Sequence, residues 1–180
     1  QRRALLCLLT AGSLWSFAQP DESKTYHIRS FTTDKVVSNF NNGDNDAPVM
    51  VETEDETSFG QKWKFVKAGA TEGVYIITSA GFPTAAIDVA PNKNYYLLNW
   101  TANTASDNQK LLVQAVEGED DVYQLLWNKT PTMGVTELSD SRLQLTNNLT
   151  SQATWFRLVE TTEQVLPEPN KWEDETCFGE

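Results

Sequence analysis

The sequence predicts an all-β domain folded as a β-trefoil, and three observations carry that reading. An alternating apolar strand opened by tyrosine recurs as Tyr26-His27-Ile28-Arg29, Tyr75-Ile76-Ile77-Thr78 and Tyr123-Gln124-Leu125-Leu126, at spacings of 49 and 48 residues. A second alternating strand recurs as Val49-Met50-Val51, Tyr96-Leu97-Leu98 and Leu143-Gln144-Leu145, with Val51, Leu98 and Leu145 spaced 47 apart. After residue 20 no apolar stripe follows the helical period of about 3.6 residues for a useful length.

The remaining strands fall between these landmarks. Short apolar runs, Val36-Val37, Ala86-Ile87-Asp88-Val89 and Gly134-Val135, sit between the first and second strand of each unit. Closing strands follow as Trp63-Lys64-Phe65-Val66, Leu111-Leu112-Val113 and Phe156-Arg157-Leu158, each with a glutamine shortly before it (Gln61, Gln109 and Gln152). Period-2 alternation marks these runs as half-buried strands, and clusters such as Pro91-Asn92-Lys93-Asn94 mark the turns between them. A unit that repeats at this length cannot bury its apolar face alone, so the units must share a core. Propellers have similar repeats but usually four or more blades. Three units of four strands therefore predict a barrel capped by hairpins, over residues 24–160.

The flanks read differently. Arg2 and Arg3 precede a mostly apolar run over residues 4–14, and Ser16-Phe17-Ala18 offers a small-residue cleavage site. Residues 1–18 are thus expected to be a signal peptide, and the run is shorter than the ~20 residues a membrane span needs. The domain is expected to be exported to the periplasm, the cell surface or the medium. The two cysteines, Cys7 and Cys177, both lie outside the repeats, so the trefoil has no disulfide and no thiolate site. A bacterial envelope suits such a domain best. The chain starts without Met and ends in a sequence that reads as unfinished, so a longer parent is expected.

Charge and composition exclude several functions. With 14 basic and 25 acidic residues, the net charge of −11 disfavours nucleic acid and anionic lipid as partners, but not a neutral glycan. His27 is the sole histidine and lies within a strand, which argues against a Ser-His-Asp or Cys-His site and against a histidine-rich metal site. No glycine-rich phosphate loop is present. The acidic runs at 52–56 and 117–121 lie in expected loops and read as solvated surface. No catalytic set, metal or cofactor is expected within these residues.

Gln61-Lys62-Trp63 resembles the Gln-x-Trp repeat signature of ricin-type lectin domains, the family-13 carbohydrate-binding modules. The middle unit departs from it with Leu111 in place of Trp, and the third carries Gln152-Ala153-Thr154-Trp155, one residue too many. The resemblance implies shallow sugar pockets, one per unit, of which only some stay functional. In each, an Asp accepts hydrogen bonds from adjacent hydroxyls, an aromatic ring stacks on the sugar, and an Asn near the Gln completes the set. Carried onto the middle unit, these roles fall to Asp88, to Trp100 or its neighbour Asn99 at the expected stacking position, and to Asn108 with Gln109. The first unit has Ser38 and Gly60 at the Asp and Asn positions, and the third has Thr136 and Ser151 beside Glu137, so neither is expected to bind. Asp88 could equally tie a turn, and Trp100 could be core, since it shares parity with Tyr96 and Leu98.

The segment from Trp172 to Glu180, after a linker stiffened by Pro167 and Pro169, resembles the entry of family 2 glycoside hydrolases of the β-galactosidase type. Two readings follow. One is a non-catalytic, lectin-like module that holds a galactose-containing or related glycan near a following hydrolase domain. The other is a structural trefoil that packs on that domain or on another protein without binding sugar. An open pocket on which Asp88, Asn108 and a ring converge favours the first. A pocket plugged by Leu97 or by the loop at 91–94 favours the second.

Overall fold

The computed structural model describes residues 19–39 and 43–161. The expected signal peptide, the linker beyond Thr161 and the segment resembling a hydrolase entry lie outside the described residues. The repeats give twelve strands: β1 Tyr26–Ser30, β2 Val36–Asn39, β3 Val49–Glu52, β4 Trp63–Lys67, β5 Val74–Ser79, β6 Ala85–Ala90, β7 Tyr96–Thr101, β8 Leu111–Ala115, β9 Val122–Trp127, β10 Gly134–Glu137, β11 Leu143–Thr146 and β12 Phe156–Glu160. Among the described residues, named helix is limited to single 3-10 turns at Phe59–Gln61, Pro91–Lys93 and Gln152–Thr154.

Antiparallel pairing closes six strands into a ring, β1–β4–β5–β8–β9–β12 and back to β1. Closure matters because it leaves no barrel edge for another chain to pair with. The other six strands form three hairpins, β2–β3, β6–β7 and β10–β11. The hairpins touch one another through Gln144↔Tyr96, Pro48↔Leu98 and Met50↔Arg142, so they cap one end of the barrel as a triangle. The two ends of the domain meet where the Thr161 amide donates to the Thr25 carbonyl at 2.8 Å.

One apolar core runs through all three units. The opening tyrosines pair with the first residue of each closing strand, as Tyr26↔Trp63, Tyr75↔Leu111 and Tyr123↔Phe156. Trp63, Leu111 and Phe156 are each fully buried. Phe65 stands edge-on to both Tyr26 and Tyr75, at 5.6 and 5.8 Å between ring centres, a favoured aromatic geometry. The hairpins add Val37 opposite Val51, Ile87 opposite Asn99 and Val135 opposite Leu145.

Those pairs correct the register read from the sequence. The residue matching Val51 and Leu145 is Asn99, not Leu98. The third unit is corrected in the same way. Since Phe156 takes the place of Trp63 and Leu111, the residue two before it, Thr154, takes the place of Gln61 and Gln109. Gln152 is exposed, and Trp155 packs edge-on against Phe31 at 5.3 Å instead of serving as the motif tryptophan.

Candidate functional site

The middle hairpin carries the candidate site. On β7, Leu97 and Asn99 face the core, so Leu98 and Trp100 face outward by strand alternation. On β6, Asp88 lies opposite Leu98 and Ala86 opposite Trp100. Asp88 and Trp100 are therefore diagonal neighbours on one face, within reach of a common ligand. The start of β8 is brought alongside by the Val89 amide, which donates to the Asn108 carbonyl at 3.0 Å. Together Asp88, Trp100, Asn108 and Gln109 line an open cleft of ≈ 690 Å³.

Asn99 is fully buried and does not line the cleft. The stacking position that the resemblance implies, read at Asn99 from the repeat spacing, falls at Trp100 once the hairpin register is used. Trp100 is 46 % exposed and is not a core residue. Leu97 is buried in the core and plugs nothing, while the turn Pro91–Lys93 forms one wall of the cleft.

Gln109 shows how the site is held. It is almost fully buried. Its side-chain oxygen accepts from the Asn103 amide at 2.8 Å, and its nitrogen donates to the Thr101 carbonyl at 3.0 Å and to the Asp88 carboxylate. A carboxamide nitrogen has two hydrogens, so Gln109 has none left for a ligand. It positions Asp88 and pins the loop after β7. Gln61 pins the matching loop of the first unit with the same two bonds, from the Asp55 amide at 2.7 Å and to the Thr53 carbonyl at 3.0 Å. In the third unit Gln124 does this from another strand, donating to the Leu149 carbonyl at 2.7 Å and to the Thr154 hydroxyl at 2.8 Å.

Burial pushes the Asp88 carboxyl above its ordinary range, and the hydrogen bond from Gln109 opposes that shift. A half-buried carboxylate with one protein donor keeps acceptor capacity directed at the cleft, and desolvation makes donors offered by a ligand more valuable.

The other two units lack this arrangement. At Gly60, the counterpart of Asn108, an added Cβ would lie 2.9 Å from the Asn39 carbonyl oxygen, so no side chain fits. Ser38, the counterpart of Asp88, is buried. In the third unit Thr136, the counterpart of Asp88, has no carboxylate, and its hydroxyl donates to the Ala153 carbonyl at 3.3 Å. Glu137 turns away to accept from the hydroxyls of Ser30 and Thr33.

The site also holds residues that sequence patterning did not select. Asp46, from the first unit, and Lys93 form an ion pair at the cleft mouth. Both lie in turn clusters, where spacing carries no signal for a partner on another unit.

Elsewhere, one acidic run proves more than solvated surface. Glu54 lies 2.7 Å from His27 Nδ1 and 2.6 Å from an Arg29 guanidinium nitrogen. His27 is buried, and its Nε2 has no hydrogen-bond partner. Burial therefore pushes the imidazole below its ordinary pKa, against the opposing pull of Glu54. The unfolded chain then binds more protons than the folded one, and stability falls as pH drops below the unfolded value of about 6.5. Thermal melts between pH 7.5 and 5.5 should show this loss. His27→Asn, which keeps a donor for Glu54, should flatten it; an unchanged slope would refute the assignment.

No protein-family model and no curated protein sequence matches the chain. Solved structures do. A domain described as the BEL β-trefoil superposes with a TM-score of 0.67 at 9 % identity, covering 80 % of this chain and 97 % of its own. The fold is a β-trefoil. SeviL bound to the asialo-GM1 saccharide matches with a TM-score of 0.60 at 15 % identity, over 77 % of this trefoil chain and 98 % of SeviL. The exo-β-1,3-galactanase 1,3Gal43A from Clostridium thermocellum matches with a TM-score of 0.66 at 18 % identity, over 80 % of this chain but 31 % of the galactanase.

Proposed function

We propose that this trefoil is a non-catalytic carbohydrate-binding module with its sugar site in the middle unit. The observation that carries the reading is the convergence of Asp88, Trp100 and Asn108 on one open cleft, with Asp88 aimed by Gln109. Asp88 accepts from two adjacent hydroxyls, Trp100 offers its face to the apolar side of the ring, and Asn108 supplies a donor and an acceptor. Asn99 has no role in this set. Charge-assisted hydrogen bonds of this kind contribute about 1.5–3 kcal/mol each. A shallow site exposes much of its ligand, so affinity for one sugar is weak.

The finer reading is that the ligand is a galactose-containing glycan and that the module is exported at the front of a β-galactosidase-like hydrolase. The resemblance of the segment from Trp172 to Glu180 supports the parent. So does a similar trefoil occupying about a third of a longer galactanase chain. Tethering would raise the effective concentration of the hydrolase at its glycan without new contacts.

Calorimetric titration of the 180-residue chain with galactose, lactose and a panel of plant and host glycans tests the reading. Millimolar or tighter binding is expected, and Asp88→Ala should weaken it at least about tenfold, the loss of one such bond. Asp88→Ala should leave the melting temperature nearly unchanged, because Asp88 faces the cleft and not the core. Glycan binding that survives Asp88→Ala would move the site elsewhere, and no binding by the unmodified chain would leave the structural role.

A further inference from the structure

We propose that Asp46, a residue of the first unit, is a direct sugar ligand in the middle-unit cleft, so that one site built from two units reads a terminal sugar residue from both sides. This rests on the sugar-binding reading above and adds a binding residue and the class of ligand.

The chain path places Asp46 on the far side of β7 from Asp88. On one side of β7 runs β6, with Asp88 opposite Leu98 and Ala86 opposite Trp100. On the other side runs the loop of the first unit. Pro48 bridges to Leu98, and the Asn45 side chain bonds the Thr101 hydroxyl at 3.2 Å. Between them the Asp46 amide donates to the Asn99 carbonyl and the Asn99 amide to the Ala47 carbonyl, both at 2.8 Å. These bonds hold Asp46 beside Trp100, and both residues line the same cleft as Asp88. Two strand spacings of about 4.8 Å set the flanking segments roughly 10 Å apart. A pyranose stacked on Trp100 therefore lies between a carboxylate on β6 and a carboxylate in the first-unit loop.

Asp46 is equipped for that contact. Its backbone is left-handed at φ 73°, a conformation that Asp tolerates better than most residues. Its carboxylate pairs with the Lys93 ammonium, which comes from the turn at the end of β6. A carboxylate has about four acceptor positions, so the pairing with Lys93 leaves capacity for a hydroxyl. Lys93 also offsets the charge of Asp46, which lets two acids share one cleft without raising each other's cost of ionisation.

The ligand class follows from having an acceptor on each side. Asp88 takes two adjacent hydroxyls along one edge of the ring, and Asp46 takes a hydroxyl on the opposite flank. In a galactoside linked through its anomeric carbon, the adjacent pair sits on C3 and C4, and the flanking hydroxyls sit on C2 and C6. A residue inside a chain has given up one of these four to the next linkage. A terminal residue keeps them all.

Calorimetric titrations of the full chain with methyl β-galactoside, its 2-deoxy and 6-deoxy forms, and β-1,4-galactotetraose test this. Asp46→Gly removes the carboxylate and keeps the left-handed backbone free of strain, so its melting temperature should stay nearly unchanged. The variant should bind methyl β-galactoside at least about fivefold more weakly, the loss of one hydrogen bond. One of the two deoxy forms should bind the unmodified chain more weakly than the parent galactoside by a similar factor. In Asp46→Gly that same form should bind as well as the parent, because the partner of the missing hydroxyl is gone. Galactotetraose, with one unsubstituted terminal residue per chain, should bind about as well as the methyl galactoside. Affinity for the methyl galactoside that Asp46→Gly leaves unchanged overturns the contact, as does a deoxy penalty of equal size with and without the carboxylate. Equal binding of the parent and both deoxy forms by the unmodified chain overturns it too. Affinity that climbs with chain length overturns the terminal-residue class. Failure of the unmodified chain to bind the methyl galactoside fails the galactose-binding reading itself.

Discussion

Trp63→Ala should destabilise the domain by about 3–5 kcal/mol, the range for removing a fully buried large aromatic. Trp63 is fully buried and stands where β4 meets both Tyr26 of β1 and Ser79 of β5. Its indole nitrogen donates to the Val37 carbonyl at 2.8 Å, tying the first hairpin to the barrel. Alanine leaves a cavity at the seam between two units and removes that bond. The other units grade the test, since Leu111 and Phe156 fill the same place. Trp63→Phe should keep most of the packing and cost chiefly the hydrogen bond, about 1 kcal/mol. Urea unfolding followed by fluorescence and circular dichroism measures both variants. A cost for Trp63→Ala near that of a surface change would mean that the units do not share one core.

The sequence and the structure agree where a repeat is written in apolar alternation, and they part where it is not. Tyr26, Tyr75 and Tyr123 were legible because each opens a strand whose pleat buries alternate residues, and the spacing alone brings them into equivalent positions. The middle hairpin misled by one residue for a physical reason. Tyr96-Leu97-Leu98-Asn99-Trp100 is apolar on both faces, and the core-facing slot that holds Val51 and Leu145 elsewhere is filled by Asn99. Parity from apolar pattern then has no anchor, and only the pairing of Ile87 with Asn99 decides which way Trp100 points. The third unit misled because Gln152 and Trp155 imitate the Gln-x-Trp spacing with one residue added. There the loop is pinned by Gln124 and Thr154, so the repeat keeps the function of the glutamine and changes the residue that performs it. Asp88 and Asn108 were found through the resemblance, not through periodicity. Asp46 and Lys93 were not legible at all, because a contact between loops of different units leaves no trace in spacing.

Gln109→Leu should cost about 2–4 kcal/mol of stability and abolish glycan binding together, although Gln109 touches no ligand. Leucine matches the volume and forms no hydrogen bond. The Asn103 amide and the Thr101 carbonyl then lose their buried partner, and each unsatisfied group costs about 1–3 kcal/mol. For a domain of this size, roughly 3–5 °C of melting temperature is lost per kcal/mol. Asp88 also loses the donor that opposes its desolvation, so its carboxyl rises further and it becomes a poorer, misdirected acceptor. Gln61→Leu is the matched control. It breaks the same two backbone bonds in the first unit, where Ser38 and Gly60 leave no sugar site. It should lower the melting temperature by a similar amount and leave binding intact. If both variants lose binding equally, the effect is general loosening of the trefoil, and Gln109 has no positioning role. If Gln109→Leu alone loses binding, measured well below both melting transitions, then Asp88 depends on the glutamine that aims it. The same loop brace then serves as scaffold in the first unit and as part of the binding apparatus in the middle one, and the presence of an acid opposite the glutamine is what separates the two.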